Sequence, residues 1–243
     1  MLQFNRVSKR YPDAGDVLSD VSFTLERGKM AFLTGHSGAG KSTMLKLIAL
    51  IERSSRGQII LNGKNLSRLQ NREIPSMRRN LGLIFQDYRL LNDRTVFDNV
   101  ALPLIVTGHA HSEVARRVRG ALDKVGLLNK EKRYPLGLSG GEQQRVGIAR
   151  AIVNKPPMIL ADEPTGNLDP DLSQEIMRMF AEFNSHGVTV LIASHDLALI
   201  EAMDYPVLRL DHGRLVESRR EAESPRLPES RREAESLRLP ESP

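Results

Sequence analysis

Three glycines within nine residues, in the stretch GHSGAGKST from Gly35 to Thr43, separate the apolar run MAFLT from the apolar run TMLKLIALI. A chain that leaves a buried strand through such a turn and at once enters a helix is committed to a βα unit, and so to a largely parallel sheet. Glycine permits the turn because it reaches positive φ without a Cβ penalty and lets backbone N–H groups face into the loop. The following helix adds about half a unit of positive charge at its N-terminus, which makes the loop a cradle for phosphate. The pattern is G-x-x-x-x-G-K-[ST], and the strand before it and helix after it are the context in which that match carries information. Gly35, His36, Ser37, Gly38, Ala39 and Gly40 line the cradle and Thr43 follows it. Lys41 is placed to pair with β- and γ-phosphate oxygens, and the Ser42 hydroxyl to ligate Mg²⁺.

Three further apolar runs end in polar groups: NLGLIFQ, PMILADE and GVTVLIASH. Their near-continuous hydrophobicity is that of parallel strands buried on both faces. A metal-bound triphosphate needs a carboxylate on the strand neighbouring the loop, and Asp162 at the end of MILAD supplies it as the metal residue. Glu163 follows, placed to orient and partly deprotonate an attacking water. Gln86 and His195 end two other runs and face the same crevice, where ligands of open α/β sheets lie. Gln86 can ligate Mg²⁺ or water without adding charge, and His195 can hydrogen-bond the γ-phosphate and the attacking water. Alone, either would read as satisfied structure; their common placement makes them site residues.

LQFNRVSKRY, SDVSFTLERG and GQIILNG are pairing candidates for a small antiparallel sheet beside this core, with Asn62-Gly63 favouring a tight hairpin. Tyr11 either stacks on an adenine ring or closes the turn before Pro12. From residue 88 to about 155 the pattern is helical, a lobe inserted into the sheet domain. Thr95 and Asp98 resemble a capping box, and Pro103 should kink or end the helix they start. Val114, Val118, Leu122 and Val125 recur at helical spacing after a Ser112 cap, with Gly126 as the stop.

The stretch LSGGEQQR, Leu138 to Arg145, is a second glycine turn opening a helix. Ser139, Gly140 and Gly141 offer an anion site with no lysine and no metal carboxylate. One reading is an ordinary serine cap with flexible glycines. The other is half of a nucleotide site completed by a second copy of the chain, hence a dimer with two shared sites.

Composition bounds the rest. At 243 residues the chain holds one sizeable α/β domain, and without cysteine it has neither disulfides nor thiolate metal sites. Its longest apolar runs fall far short of the roughly twenty residues that span a bilayer, and MLQFNRVSKR lacks a signal-peptide core, so neither insertion nor export by its own sequence is expected. The net charge of +5 admits polyphosphate, an anionic membrane or nucleic acid, but only 5% aromatics and no tryptophan argue against a stacking platform for nucleic acid. ESRREAESPRLP (217–228) returns as ESRREAESLRLP (229–240). The six arginines and seven glutamates of 217–243 leave the remainder at +6, and so polar a tail is expected to be disordered.

Together these motifs resemble the ATP-binding subunits of ABC transporters over residues 1 to 216. The matches are GHSGAGKST, Gln86, LSGGEQQR, MILADE with Glu163, GNLD with Asp169, and His195. The resemblance implies a P-loop NTPase fold with a RecA-like, mostly parallel core, an N-terminal antiparallel β subdomain and an inserted helical subdomain. It implies ATP and Mg²⁺ as ligands and a head-to-tail homodimer closed on two ATP molecules, in which Ser139, Gly140, Gly141 and Asp169 face the nucleotide held by Lys41 of the other copy. AFLTGHSGAGKST, IFQDYRLLNDRTVFDNVALPL and GGEQQRVGIARAIVNKP are similar to the FtsE family of bacterial cell-division ATPases. That likeness implies an FtsX-like integral membrane partner, contact with cytoplasmic division proteins, activation of peptidoglycan hydrolysis, and a place on the cytoplasmic face of the inner membrane at the septum. Rival readings are a lipoprotein-releasing or macrolide-type export ATPase and a soluble nucleic-acid- or ribosome-associated ABC ATPase.

Overall fold

The structure, a computed structural model, describes residues 1–13, 15–166 and 168–218. The expectation of a disordered repeat tail falls, beyond Ser218, outside the described residues.

The chain opens with the long strands β1 (Leu2–Tyr11) and β2 (Gly15–Leu25), paired antiparallel from Leu2↔Leu25 to Tyr11↔Gly15. The buried strand β3 (Met30–Thr34) then leads through the glycine loop into α1 (Lys41–Ile48). The chain returns to the first sheet as β4 (Arg56–Leu61), antiparallel to β1, and turns into β5 (Lys64–Asn65). Asn62 and Gly63 make that turn with φ of 51° and 78°, the pair of positive values a two-residue hairpin of this hand requires. A short α2 (Ile74–Arg78) precedes β6 (Leu81–Ile84), and three helices follow, α3 (Val96–Val106), α4 (His111–Lys124) and α5 (Gly140–Ile152). The described residues finish as β7 (Met158–Asp162), α6 (Pro170–Ser185), β8 (Thr189–Ala193), α7 (Leu197–Met203), β9 (Val207–Asp211) and β10 (Arg214–Ser218).

Among the described residues two sheets result, one ordered β2-β1-β4-β5 and one ordered β10-β9-β3-β8-β7-β6. In the second, β9, β3, β8, β7 and β6 are mutually parallel and β10 runs antiparallel at the edge. Successive side chains on a strand point to opposite faces, so each central strand feeds two cores. Met30 and Phe32, Ile159 and Ala161, and Val190 and Ile192 join α3, α4, α5 and α6 in one. Ala31 and Leu33, Met158 and Leu160, and Leu191 and Ala193 join α1 and the first sheet in the other. The helix that carries the phosphate loop is therefore sandwiched between the two sheets.

Three details depart from the sequence reading. Strands β9 and β10 were not foreseen, although VLRLD alternates and His212-Gly213, at φ of 43° and 75°, is a tight hairpin turn. Pro103 does not end α3, which runs three residues further. Burial of Val96, Val100, Ala101 and Leu104 holds the helix in spite of the lost N–H, and the Thr107 hydroxyl donates to the carbonyls of Pro103 and Leu104, both at 2.9 Å. Ser112 is the second residue of α4, not its cap. The turn at Gly108 (φ 77°) brings the chain to an extended Ala110 two residues sooner, and Ala110 makes no side-chain cap bond. The Thr95 and Asp98 capping box is formed, with the Thr95 hydroxyl accepting from Asp98 N at 3.1 Å, and Gly126 takes φ 68° just past α4.

Leu122 is fully buried where α4 meets the larger core. Leu122→Ala is expected to destabilise the chain by about 2–5 kcal/mol. Urea unfolding checks this as a lowered midpoint at unchanged slope.

Candidate functional site

Parallel pairing puts the carboxyl ends of β3, β8, β7 and β6 on one edge of the sheet, and the glycine loop, His195, Asp162 with Glu163, and Gln86 leave from those four ends. The strand after the loop strand is not the one expected. β8 lies between β3 and β7, so Asp162 is two strands away from the loop, and α1 closes the gap by packing against β7. Ser42, at the start of α1, donates its hydroxyl to Asp162 Oδ1 at 3.1 Å.

At two of its positions, Gly35 and Gly40, the loop fits its surroundings only as glycine. A Cβ on Gly35, at φ 150°, would lie 2.4 Å from the Leu210 carbonyl oxygen; one on Gly40, at φ 108°, would lie 2.7 Å from Leu18 Cδ2 and 3.1 Å from the Val17 carbonyl oxygen. Strands β2 and β9 thus press on the loop from outside and hold its shape. Gly38 also takes positive φ, Ala39 is buried and donates its N–H to His36 O at 3.1 Å, and Ser37 accepts from the His36 ring. Thr43 is half-buried in the first turn of α1.

Lys41 Nζ donates to Gly35 O at 2.7 Å and His36 O at 3.3 Å, and stands 3.8 Å from Glu163 Oε1. Glu163 Oε2 lies 2.8 Å from His195 Nδ1. The Lys41 and Glu163 side chains are 9% and 11% exposed while His195 is 66% exposed, so the chain Lys41–Glu163–His195 leads from the loop to solvent. A carboxylate can only accept, so Nδ1 is the donor to Glu163 and, in the neutral ring, Nε2 is left as an acceptor. His195 so placed can take a hydrogen from a water; it donates to a phosphate oxygen only as imidazolium. Glu163 sits at φ 48°, a left-handed backbone that costs a residue with a Cβ on the order of 1–3 kcal/mol. Its N–H is tied to Ala193 O at 2.9 Å, which fixes the carboxylate's origin on β8 as well as β7.

Burial pushes the Asp162 carboxyl above its usual range, with the adjacent Glu163 adding to the effect while the Ser42 hydroxyl and the Lys41 and Lys46 ammoniums oppose it. A hydroxyl and a half-buried carboxylate with raised proton affinity, side by side, are a hard oxygen pair suited to Mg²⁺.

Tyr11 closes β1 before the turn at Pro12, as one of its two readings required, and one face of its ring carries the Lys9 ammonium at 4.5 Å. Gln86 is exposed just past β6, with its Nε2 near Gly166 beyond β7. Ser139 is the N-cap of α5 in a full capping box with Glu142, whose carboxyl the Lys130 ammonium and the Ser139 N–H hold below the usual range. Ser139 and Gly140 are exposed and Gly141 is buried against Leu172. Asp169 caps α6, accepting from Leu172 N at 3.0 Å.

The sequence reading missed Arg150. This α5 side chain donates from Nη2 to Tyr88 O and from Nη1 to Arg89 O, each at 2.6 Å. Tyr88 and Arg89 hold φ of 57° and 48°, two consecutive left-handed residues just after Gln86. The Tyr88 hydroxyl reaches the first turn of α5, 3.3 Å from where a Cβ on Gly140 would stand. One arginine thus ties the segment after Gln86 to the helix that starts at Ser139. The only trace in the sequence is a cation inside the apolar run VGIARAIV.

The arrangement is that of an ATP-binding cassette. The ABC transporter family profile matches residues 18–166. The chain is 59% identical over 215 residues to the cell division ATP-binding protein FtsE of Escherichia coli (strain K12), covering 88% of this chain and 97% of that protein. It is 44% identical over 223 residues to the protein of the same name from Bacillus subtilis (strain 168), covering 92% and 98%. Among solved structures, the ATP-binding cassette MJ0796, in a dimeric post-hydrolysis state bound to ADP and Pi, superposes with a TM-score of 0.84 at 31% identity, covering 90% of this chain and 97% of that one. The chain therefore belongs to the ABC transporter family and, within it, to the FtsE group of cell-division ATP-binding proteins.

Two outcomes follow from the geometry. A carboxyl whose folded pKa is raised contributes stability below its unfolded pKa and loses it as pH rises through the folded value. In EDTA, Asp162→Asn is therefore expected to melt above the parent chain at neutral pH, the gap closing as pH falls below the ordinary aspartate range, while ATP turnover is lost. Arg150→Met is expected to lower ATP turnover more than ATP binding, because it frees the Tyr88 and Arg89 carbonyls without touching the loop. Its stability cost, about 1.5–3 kcal/mol for a hydrogen bond to a charged group, is read by urea unfolding.

Proposed function

We propose that the chain is the ATP-hydrolysing subunit of an FtsEX-type cell-division complex, working as a dimer against an integral membrane partner. The observation that carries this reading is the chain Lys41–Glu163–His195 beside the pair Ser42–Asp162. The loop amides and Lys41 hold the β- and γ-phosphates of ATP. Ser42, Asp162 and Gln86 hold Mg²⁺, which when bound neutralises charge on those phosphates. Glu163 accepts a proton from the attacking water as its oxygen bonds to the γ-phosphorus and the bond to the bridging oxygen breaks, giving ADP and phosphate. His195 Nε2 accepts from the same water and orients it. Tyr11, at the end of β1, stacks on the adenine ring.

Ser139, Gly140 and Gly141, at the N-terminus of the 13-residue α5, together with Asp169 of the same chain, complete the nucleotide site held by Lys41 of a second copy. The dimeric state of the MJ0796 cassette supports this pairing. The domain ends near residue 216, and residues of about 88–155 form its helical subdomain. Coupling to the membrane partner runs through this lobe, where Leu91, Leu102, Ile105 and Val106 expose 40–66% of their surface. Among the described residues no helix is long and apolar enough to cross a membrane, which suits a peripheral subunit held by that partner. The cytoplasmic face of the inner membrane at the septum, association with cytoplasmic division proteins, and activation of peptidoglycan hydrolysis complete the proposal.

Glu163→Gln is expected to abolish ATP turnover, retain ATP binding and accumulate dimer in saturating Mg-ATP. Steady-state phosphate release and sedimentation check the two halves. Normal turnover would remove Glu163 from its role, and a monomer at saturating Mg-ATP, both alone and with the membrane partner, would remove the shared site.

A further inference from the structure

The turn between β9 and β10 lies against the phosphate loop. Gly213 N donates to Ala39 O at 3.2 Å, Ser19 N donates to Gly213 O at 2.8 Å, and the Leu210 carbonyl occupies the space beside Gly35. This packing brings two histidines and a carboxylate together at the surface. His36 from the loop and Asp211 and His212 from the hairpin place one ligand atom each within 4.8 Å of one another. His36 Nε2 is 3.6 Å from Asp211 Oδ1, His212 Nε2 is 3.9 Å from the same oxygen, and the two rings are 4.8 Å apart.

A second observation bears on the same point. His36 Nδ1 lies 2.7 Å from the Ser37 carbonyl oxygen, which can only accept, so Nδ1 carries a proton and Nε2, turned toward Asp211, is the ring atom free to meet an ion. A backbone carbonyl holding the far ring nitrogen is how metal-ligating histidines are oriented and their tautomer fixed. A tetrahedral ion with bonds of about 2.1 Å has donors about 3.4 Å apart, so the observed separations close with small movements of exposed side chains. Two imidazoles and one carboxylate select a borderline ion of the zinc class over Mg²⁺ or Ca²⁺.

We propose that His36, Asp211 and His212 form a binding site for a divalent ion of the zinc class, which staples the phosphate loop to the β9–β10 hairpin. Neither anchoring segment can then move without the other, and metal occupancy is felt one residue from Gly35, whose carbonyl receives Lys41.

The test uses the full chain, tag-free and stripped with EDTA, titrated with Zn²⁺ by calorimetry in the absence of nucleotide. His212→Asn keeps a residue that tolerates the left-handed turn and removes one ligand; Asp211→Asn removes another, and unchanged melting curves without metal certify both folds. The parent chain is expected to bind one more equivalent of Zn²⁺ than either variant, or to bind it at least about tenfold more tightly. Hydrogen exchange is expected to slow on addition of Zn²⁺ in both the 35–40 and 207–215 segments of the parent and in neither segment of the variants. Equal stoichiometry and affinity in parent and variants would overturn the site, and protection of neither segment, or of only one, would overturn the staple.

Discussion

The phosphate loop is held from outside as much as by its own glycines. Gly35 has a carbonyl of β9 against it and Gly40 a leucine and a carbonyl of β2, so the loop is clamped between the last hairpin of one sheet and an edge strand of the other. Everything the site does depends on that clamp. It sets the direction in which α1 leaves, α1 packs against β7, and that contact puts Ser42 within a hydrogen bond of Asp162 although β8 separates their strands. A looser loop would let α1 rotate, and the hydroxyl and the carboxylate would part.

What could be read in the sequence follows from how local each determinant is. The parallel strands were legible because each is a short apolar run, and the loop because its spacing is fixed by the backbone alone. Asn62-Gly63 and the Thr95 capping box were legible for the same reason, each being settled within four residues. Strand order was not: that β8 lies between β3 and β7 is decided by how α1 and the two cores pack, and no residue in the runs encodes it. Pro103 leaves α3 unended because burial of four α3 side chains outweighs its lost N–H, and Ser112 misled because the turn at Gly108 starts α4 sooner. Arg150 escaped because its partners, the carbonyls of Tyr88 and Arg89, lie some sixty residues away and offer no side-chain signature.

Stability is given up where the chemistry is. Asp162 is buried although burial disfavours its charge, Glu163 carries an unfavourable backbone, and Lys41 and Glu163 face each other almost out of solvent without a direct hydrogen bond. None of these features helps the chain fold, and the apolar cores on both faces of the sheet offset them. The arrangement makes sense once phosphate is considered: an anion between the loop and Asp162 satisfies the ammonium and the amides together, and a metal ion relieves the carboxylate. The site is poised for a highly charged ligand rather than for its own side chains.

The second glycine turn then has a physical meaning that does not depend on its spacing. Ser139 spends its hydroxyl on its own helix, and Glu142 and Lys130 complete that cap, so the first-turn amides of Gly140 and Gly141 are what α5 has to offer an outside anion. From there α5 runs straight to Arg150, which grips the two left-handed residues following Gln86. A pull on the amino end of α5 is therefore transmitted along the eleven residues from Gly140 to Arg150 and on to the segment that follows Gln86. That continuity is what would let a phosphate at the exposed N-terminus of α5 bear on the outer lobe, in keeping with the function proposed for the chain.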